Sequence, residues 1–319
     1  MCEEILNKLR GDKMRFPYSD DNKRYHTLAY HNKTIYGGRV YKATVDAGCT
    51  CPNIDGRCGS GGCVFCARTP RDTRSIAEQF AAERERILAK CPTAKILMYY
   101  GLHTNTYCSA GRLSELLDEA KRAGAFAVSA ATRADCLDEE KARILGGFEL
   151  PLTVELGLQT IHDDTAALVN RGHSYADFLE GYRLLKRHNI RVCVHIINGL
   201  PNESREMMLA TARALGALRP DGVKIHSMHV LRGTILYKMY LQGEYSPLER
   251  DEYIDVTVRQ LELLPAETVI ERVTGDGDKS LLAAPLWSRD KIAVLGGIDK
   301  RMADLDTYQG RLFDNESVG

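Results

Sequence analysis

Short apolar runs alternate with amphipathic stretches along most of this chain, and the alternation predicts strands and helices in turn. "YKATVDA" (41–47), "KILMYY" (95–100), "AFAVSA" (125–130), "LTVELGL" (152–158), "IRVCVHII" (190–197) and "GVKIHSMHV" (222–230) read as strands. Helical patterns separate them. In "SIAEQFAAERERILAK" (75–90), Ile76, Phe80, Ile87 and Leu88 share a face, and Ser75 with Glu78 has capping-box spacing. "RLSELLDEAKRAG", "DEEKARILG", two stretches flanking Gly172 and "SREMMLATARALGAL" complete the series. Six strands separated by helices predict an α/β fold with a parallel sheet. Their nearly continuous apolar composition suits strands covered on both faces. Six βα units are too few for a closed eight-unit barrel, so a partial (β/α)6 parallel barrel is expected. From Gly243 onward, a helix in "SPLERDEYIDVTVRQLELL" and a strand in "ETVIERV" predict a C-terminal α+β extension packed on the barrel. The expected divisions are an N-terminal segment (1–42), the barrel (43–242) and the extension (243–319).

In parallel βα architectures chemistry gathers at the C-terminal ends of strands. Here those ends are polar: "HTNT" (103–106), "ATRAD" (131–135), "GLQT" (157–160), "NGLP" (198–201) and "KIHSMH" (224–229), with a cysteine-rich loop after the first strand. Arg, Asp, Gln, Asn and His recur at successive ends, which points to one large site at a common mouth.

The 319 residues, 44% hydrophobic and 27% charged, suffice for a large core without staples. No apolar run approaches a membrane span of about 18–20 residues, and "MCEEILNKLRGDKMRF" has no apolar signal region. A cytoplasmic protein with no membrane partner is expected. The formal net charge is zero, which argues against indiscriminate polyanion binding, but its distribution is uneven. Residues 8–42 carry a net +6, interleaved with Phe16, Tyr18, Tyr25, Tyr30, Tyr36 and Tyr41, whereas residues 243–319 carry −7. Basic residues among aromatics suit a phosphate backbone with stacked bases, and Lys23 and Arg24 are the candidate contacts. A segment that wraps the domain through its tyrosines is the competing reading.

"GCTCPNIDGRCGSGGCVFC" (48–66) places five cysteines in nineteen residues. Disulfides fit a cytoplasmic chain poorly. Structural zinc takes two chelating pairs, whereas only Cys63 and Cys66 form a C-x-x-C pair here, and Cys49-x-Cys51 is cramped. A third ligand would come from Cys51, Cys49 or Cys58. Three thiolates would leave one iron of a four-iron cluster open for chemistry, and "GSGG" lets the backbone curl towards the cluster.

This loop resembles the cluster loop of radical S-adenosylmethionine (SAM) enzymes. More narrowly, the chain is similar to the bacterial YhcC/YtqA-type branch, related to the radical-SAM domain of the elongator catalytic subunit. The likeness continues in order through "ATRADC", "ELGLQTIHDDT", "VNRGHS", "CVHIINGLPNE", "DGVKIHSMHVLRGT" and "LLAAPLW", from about residue 15 to 300. It implies a partial barrel of the radical SAM type, a [4Fe-4S] cluster, S-adenosyl-L-methionine, and reductive cleavage to a 5′-deoxyadenosyl radical. Cys51, Cys63 and Cys66 match the cluster ligands, while Cys49 and Cys58 fall outside the pattern. Phe65 matches the aromatic residue beside the SAM adenine. Glu155 and Gln159 would reach the SAM ribose or methionyl group, Arg133 a carboxylate with Asp135 orienting it, and Asn198 the adenine edge. His103, Asn105, Arg171, His173, Lys224, His226 and His229 would line the substrate pocket. Departures from the family pattern are Gly101 in place of Gln, and Ala131 and Ala134 in place of Gly and Pro in "GTRPD".

Three functional readings follow. The resemblance and the basic N-terminal segment favour a radical SAM enzyme acting on tRNA, at a wobble uridine side chain, with an electron donor such as flavodoxin or ferredoxin. The same chemistry on a small metabolite or protein side chain is the second. The third is a non-catalytic iron–sulfur redox or nucleic-acid-binding module, which would have no use for six polar strand ends around the loop.

Overall fold

The computed structural model describes residues 16–67, 70–275 and 277–314; Cys2 and the remainder of the basic segment's start lie outside them. Its elements in chain order are α1 (Leu28–Tyr36), β1 (Val40–Val45), α2 (Ile76–Leu88), β2 (Lys95–Tyr100), α3 (Ala110–Arg122), β3 (Ala127–Thr132), α4 (Glu139–Gly146) and β4 (Leu152–Gln159). Then follow α5 (Asp163–Leu168), α6 (Tyr175–Arg187), β5 (Arg191–Asn198), α7 (Arg205–Leu218), β6 (Gly222–Ser227) and β7 (Val230–Leu231). The chain continues through α8 (Ile235–Leu241), α9 (Arg250–Leu263), β8 (Val269–Arg272), β9 (Leu282–Ala284) and α10 (Lys291–Asp304). The expected capping box forms at α2, where Ser75 accepts from Glu78 N and Glu78 accepts from Ser75 N.

Strands β1 to β6 and β8 make one curled half-barrel sheet in the order β1-β2-β3-β4-β5-β6-β8, every pair parallel. The six expected strands are present. The seventh, from "ETVIERV", pairs with β6 and so joins the sheet rather than merely packing on it. Backbone continuity extends that edge, since Ile270 N donates to His26 O (2.7 Å) beside a parallel bridge from Thr27 to Ile270.

The two faces of the sheet differ. Alternate residues of the strands, among them Ala43, Val45, Met98, Val128, Val154, Leu156, Val192, Val194, Val223 and Ile225, are buried in the main apolar cluster, to which Phe80, Leu116, Phe178 and Leu185 also belong. The residues between them face the barrel interior: Lys42, Tyr99, Ser129, Glu155, His195 and Lys224, one from each of six strands. The expectation of strands apolar on both faces is therefore corrected, because the inner face encloses polar groups rather than a second apolar layer. At the N-terminal end of the strands, His31, Asn32 and Tyr36 of α1 close a cavity of about 130 Å³ together with Lys42, Arg191, Lys224 and Glu271.

The aromatic N-terminal residues largely serve packing. Phe16 and Tyr25 are buried, Tyr18 stacks on His26 with centroids 4.8 Å apart, and Tyr36 meets Phe126 edge-on at 5.2 Å. Lys23 pairs with Asp299 and Arg24 with Asp306. Both candidate nucleic-acid contacts are thus engaged, in partly exposed ion pairs, by the acidic C-terminal segment.

Candidate active site

A cavity of about 560 Å³ opens at the C-terminal ends of the strands. Cys51, Cys63 and Cys66 all line it, with Phe65 between the last two. The loop that carries them turns through Gly61 and Gly62, at φ of 81° and 82°, a region glycine enters without steric cost. Asn53 steadies it, donating from Nδ2 to Cys63 Sγ (3.3 Å) and to Asn170 O (3.0 Å). Cys51 Sγ lies 3.0 Å from Thr104 Oγ1. Cys63 and Cys66 share a hydrogen bond that favours thiolate at Cys63. That bond, and then the Arg171 cation, hold the Cys63 pKa down to about 5 against the opposing effect of burial.

Cys49 and Cys58 do not line the cavity. Cys49 turns to Asn105 O (3.8 Å), and exposed Cys58 lies 3.8 Å from Asp135 Oδ2. Among the described residues, no three thiol, imidazole or carboxylate groups close around a single metal ion. The donor set at the cavity is three thiols, Cys51, Cys63 and Cys66, all in its lining. It fits a cluster that keeps a coordination position free.

His103, Arg133, Glu155, Gln159 and Arg171 also reach this cavity. Gln159 (φ 75°) and His103 (φ 59°) adopt left-handed backbone, and Gln159 sits at a register shift between β4 and β5. Non-glycine residues held there store strain, which is common where a side chain is aimed at a ligand. Arg133 is 2% exposed and donates from Nε and Nη2 to Asp135 (2.9 and 2.8 Å) and from Nη1 to Arg171 O (2.6 Å). Its two-pronged edge is taken up by Asp135, while Arg133 itself lines the cavity. Asp135 orients Arg133 and does not line the cavity. Arg171 lies over Gly157, donating Nη2 to its carbonyl (2.7 Å), and keeps a buried Nε without a partner.

Glu155 forms the floor. Its carboxylate accepts from Tyr99 (2.8 Å) and Ser129 (2.8 Å), and from the ammonium groups of Lys42 and Lys224. Burial alone would raise its pKa, but Lys42 and then Lys224 outweigh burial and hold it well below the usual carboxylate range. These four donors engage both carboxylate oxygens of Glu155 at the cavity floor, and Lys224 is committed to it beneath the cavity.

The other expected residues are placed elsewhere. Asn198 and Gln260 exchange hydrogen bonds (2.8 Å each), tying β5 to α9. Asn105 clamps strand ends, donating to Tyr100 O, Leu102 O and Ala131 O. His173 lies 3.1 Å from Ser174 O. His229 contacts Ser227 Oγ at 3.2 Å. His226 stands beside His195, with ring centroids 5.3 Å apart. None of these five lines the cavity. Residues that sequence reasoning missed include His195 and Arg71 on the wall, and Lys42 and Tyr99 in the floor. Each strand contributes one polar residue to the floor from among mostly small or apolar inward positions, a weak signal in sequence.

Comparisons with known proteins agree with this geometry. The Radical SAM superfamily profile matches residues 53–215, and the Radical_SAM C-terminal domain profile matches 220–304. Protein YtqA of Bacillus subtilis (strain 168) is 40% identical over 307 residues, covering 93% of this chain and 95% of that one. The tRNA uridine(34) acetyltransferase of Methanocaldococcus infernus is 32% identical over 168 residues, which span 51% of this chain and 31% of the relative. The solved structure of archaeal Methanocaldococcus infernus Elp3 superposes with a TM-score of 0.65 at 22% identity, covering 85% of this chain and 64% of that one. At that identity the superposition shows a shared fold.

Proposed function

This chain belongs to the radical SAM superfamily, whose members use a [4Fe-4S] cluster and S-adenosylmethionine, and from that premise we propose that it is a radical SAM enzyme modifying tRNA at a wobble uridine side chain. The observation that carries the catalytic part is the convergence of Cys51, Cys63 and Cys66 on one cavity with strand-end side chains. The tRNA part is supported by partial likeness to a tRNA uridine(34) acetyltransferase and by the Elp3-like fold.

Bound there, the cluster and SAM would supply a 5′-deoxyadenosyl radical. Cys51, Cys63 and Cys66 would hold the cluster, and the Asn53 amide would orient Cys63. Phe65 offers an aromatic wall, packed from behind by the cluster of Val64, Leu200 and Met228. Arg171, with a free buried Nε and a place next to Cys63, is the guanidinium suited to an anionic group of SAM. Gln159 supplies a neutral amide on the same wall. The Glu155 floor excludes water from below and keeps these side chains in one arrangement.

The test is anaerobic. The reconstituted, dithionite-reduced protein is given SAM with and without bulk tRNA from a cell lacking this gene, and 5′-deoxyadenosine is quantified. Formation stimulated by tRNA, with a changed nucleoside in the digest, is the expected result. Formation indifferent to tRNA would move the substrate to a small metabolite or protein side chain; none from an intact, reducible cluster would sink the catalytic reading. Cys51→Ala, Cys63→Ala and Cys66→Ala should each abolish the reaction of the iron chromophore with SAM, while Cys58→Ala leaves it largely intact. Equal loss in Cys58→Ala would mean a different ligand set.

A further inference from the structure

Two imidazoles on neighbouring strands beside the cavity each bury an Nε2 that lacks a well-aligned hydrogen bond. His195 of β5 lines its wall, and His226 of β6 packs against the His195 ring at 5.3 Å and 45°. His195 Nε2 comes within 2.9 Å of Glu155 Oε2, a contact with a carboxylate already crowded by four donors, without making a well-aligned hydrogen bond. His226 Nε2 is likewise buried and unpartnered. Buried polar atoms are nearly always satisfied, because leaving one bare forfeits the hydration it had in the unfolded chain. Glu155 cannot relieve the strain, since Lys42, Lys224, Tyr99 and Ser129 already fill it. Two such groups together, next to a cavity of ligand size, are better explained by a ligand than by the fold.

We propose that His195 and His226 form a hydrogen-bonding subsite for an uncharged polar edge of the substrate, His195 making the contact and His226 acting as a positioning residue for its ring. The subsite deepens the function proposed above and rests on it. A neutral imidazole offers one donor and one acceptor, so the pair suits a group that presents both, such as the imide edge of a pyrimidine or an amide. A protonated amine is disfavoured by Lys224, which pairs with His195 across β5 and β6, and by nearby Lys42. Burial, then the neighbouring Lys224, pushes His195 down to about 4, and burial, then His195 and Arg272, pushes His226 well below its ordinary value. Both rings are therefore neutral at pH 7, as the subsite needs.

A subsite maintained at the expense of stability has a signature that a structural histidine pair lacks. His195→Phe and His226→Phe remove the unsatisfied nitrogens while keeping a ring of similar shape. Each should raise the thermal unfolding midpoint of the substrate-free protein, by about 2 °C. In the reconstituted enzyme, each should raise the bulk tRNA concentration giving half-maximal product by about tenfold. The conservative His226→Gln, which retains a donor and an acceptor, should recover part of that loss. A lower midpoint in both Phe variants would show that the rings hold the fold together and would overturn the proposal. So would an unchanged tRNA dependence. If the unmodified enzyme cleaves SAM without responding to tRNA, the tRNA reading fails on its own, and the sign of the thermal shift still decides the subsite.

Discussion

Glu155 is 1% exposed and accepts from two ammonium groups, a phenol and a hydroxyl. Such a group is stable only while its cations are present, since removing one leaves a buried charge unpaired. Lys224→Met is expected to lower the unfolding free energy by about 3–5 kcal/mol in urea titrations, and adding Glu155→Gln should recover part of it. A cost below about 1 kcal/mol would mean that Glu155 is not held as an ion. The histidines report on the same interior through pH. His31, His173 and His195 are each pushed down to about 4, first by burial and then by Arg191, Arg171 and Lys224 respectively. Their unfolded pKa is near 6.5, so between pH 6.5 and 4 the unfolded chain binds more protons than the folded one. Their contribution to stability is complete above about pH 6.5 and is lost as pH falls towards 4, by up to about 1.4 kcal/mol per unit for each ring. The urea midpoint should fall steadily from pH 7 to pH 5. A flat profile there would show that these rings titrate as they do in the unfolded chain.

At the end of β2 one departure from the family pattern acquires a physical reason. A Cβ on Gly101 would lie 2.3 Å from Tyr99 Cε1, so the missing side chain is what lets the Tyr99 ring lie where its hydroxyl meets Glu155. Gly101→Ala should therefore cost about 1–3 kcal/mol by overpacking. Tyr99→Leu in the same chain should clear the clash, so that the double variant melts well above the sum of the two losses. Additive losses would place the strain elsewhere. Element scale is also where sequence reading worked best. Each of the six strands was legible as an apolar run, and the cavity was legible as a succession of polar strand ends. The floor was not, because its partners are distant in sequence: Lys42 and Glu155 are 113 residues apart, and Glu155 and Lys224 are 69 apart. Their common inward face shows only once strand register is known. Asn198 shows the same limit. An Asn at a strand end has the right chemistry for a ligand, but nothing local records that Gln260, on a helix 62 residues later, will claim it.

The whole chain carries no net charge, yet residues 8–42 are basic and residues 243–319 acidic. In the fold the two segments meet. Lys23 pairs with Asp299, Arg24 with Asp306, Gln309 N donates to Arg24 O (2.9 Å), and His26 N donates to Gln309 Oε1 (2.8 Å). This clasp fastens the start of the described chain across the base of the half-barrel, where α1 closes the cavity beneath Lys42 and Lys224. The charge asymmetry thus serves internal complementarity at these residues, with the partly exposed ion pairs contributing little individually. Lys23→Glu should cost up to about 1 kcal/mol at low salt. The loss should shrink in 1 M salt, where the screening length falls to about 3 Å. The reversed pair, Lys23→Glu with Asp299→Lys, should restore the stability of the original chain, as a double-mutant cycle can measure. A nucleic-acid contact at Lys23 predicts a different cycle: Lys23→Glu would weaken tRNA binding and flatten its salt dependence, and Asp299→Lys would not restore the lost contact. Measuring stability and tRNA binding on the same four proteins separates an internal clasp from an external one, because only the clasp makes the two substitutions compensate in stability while leaving tRNA affinity unmoved by Lys23→Glu.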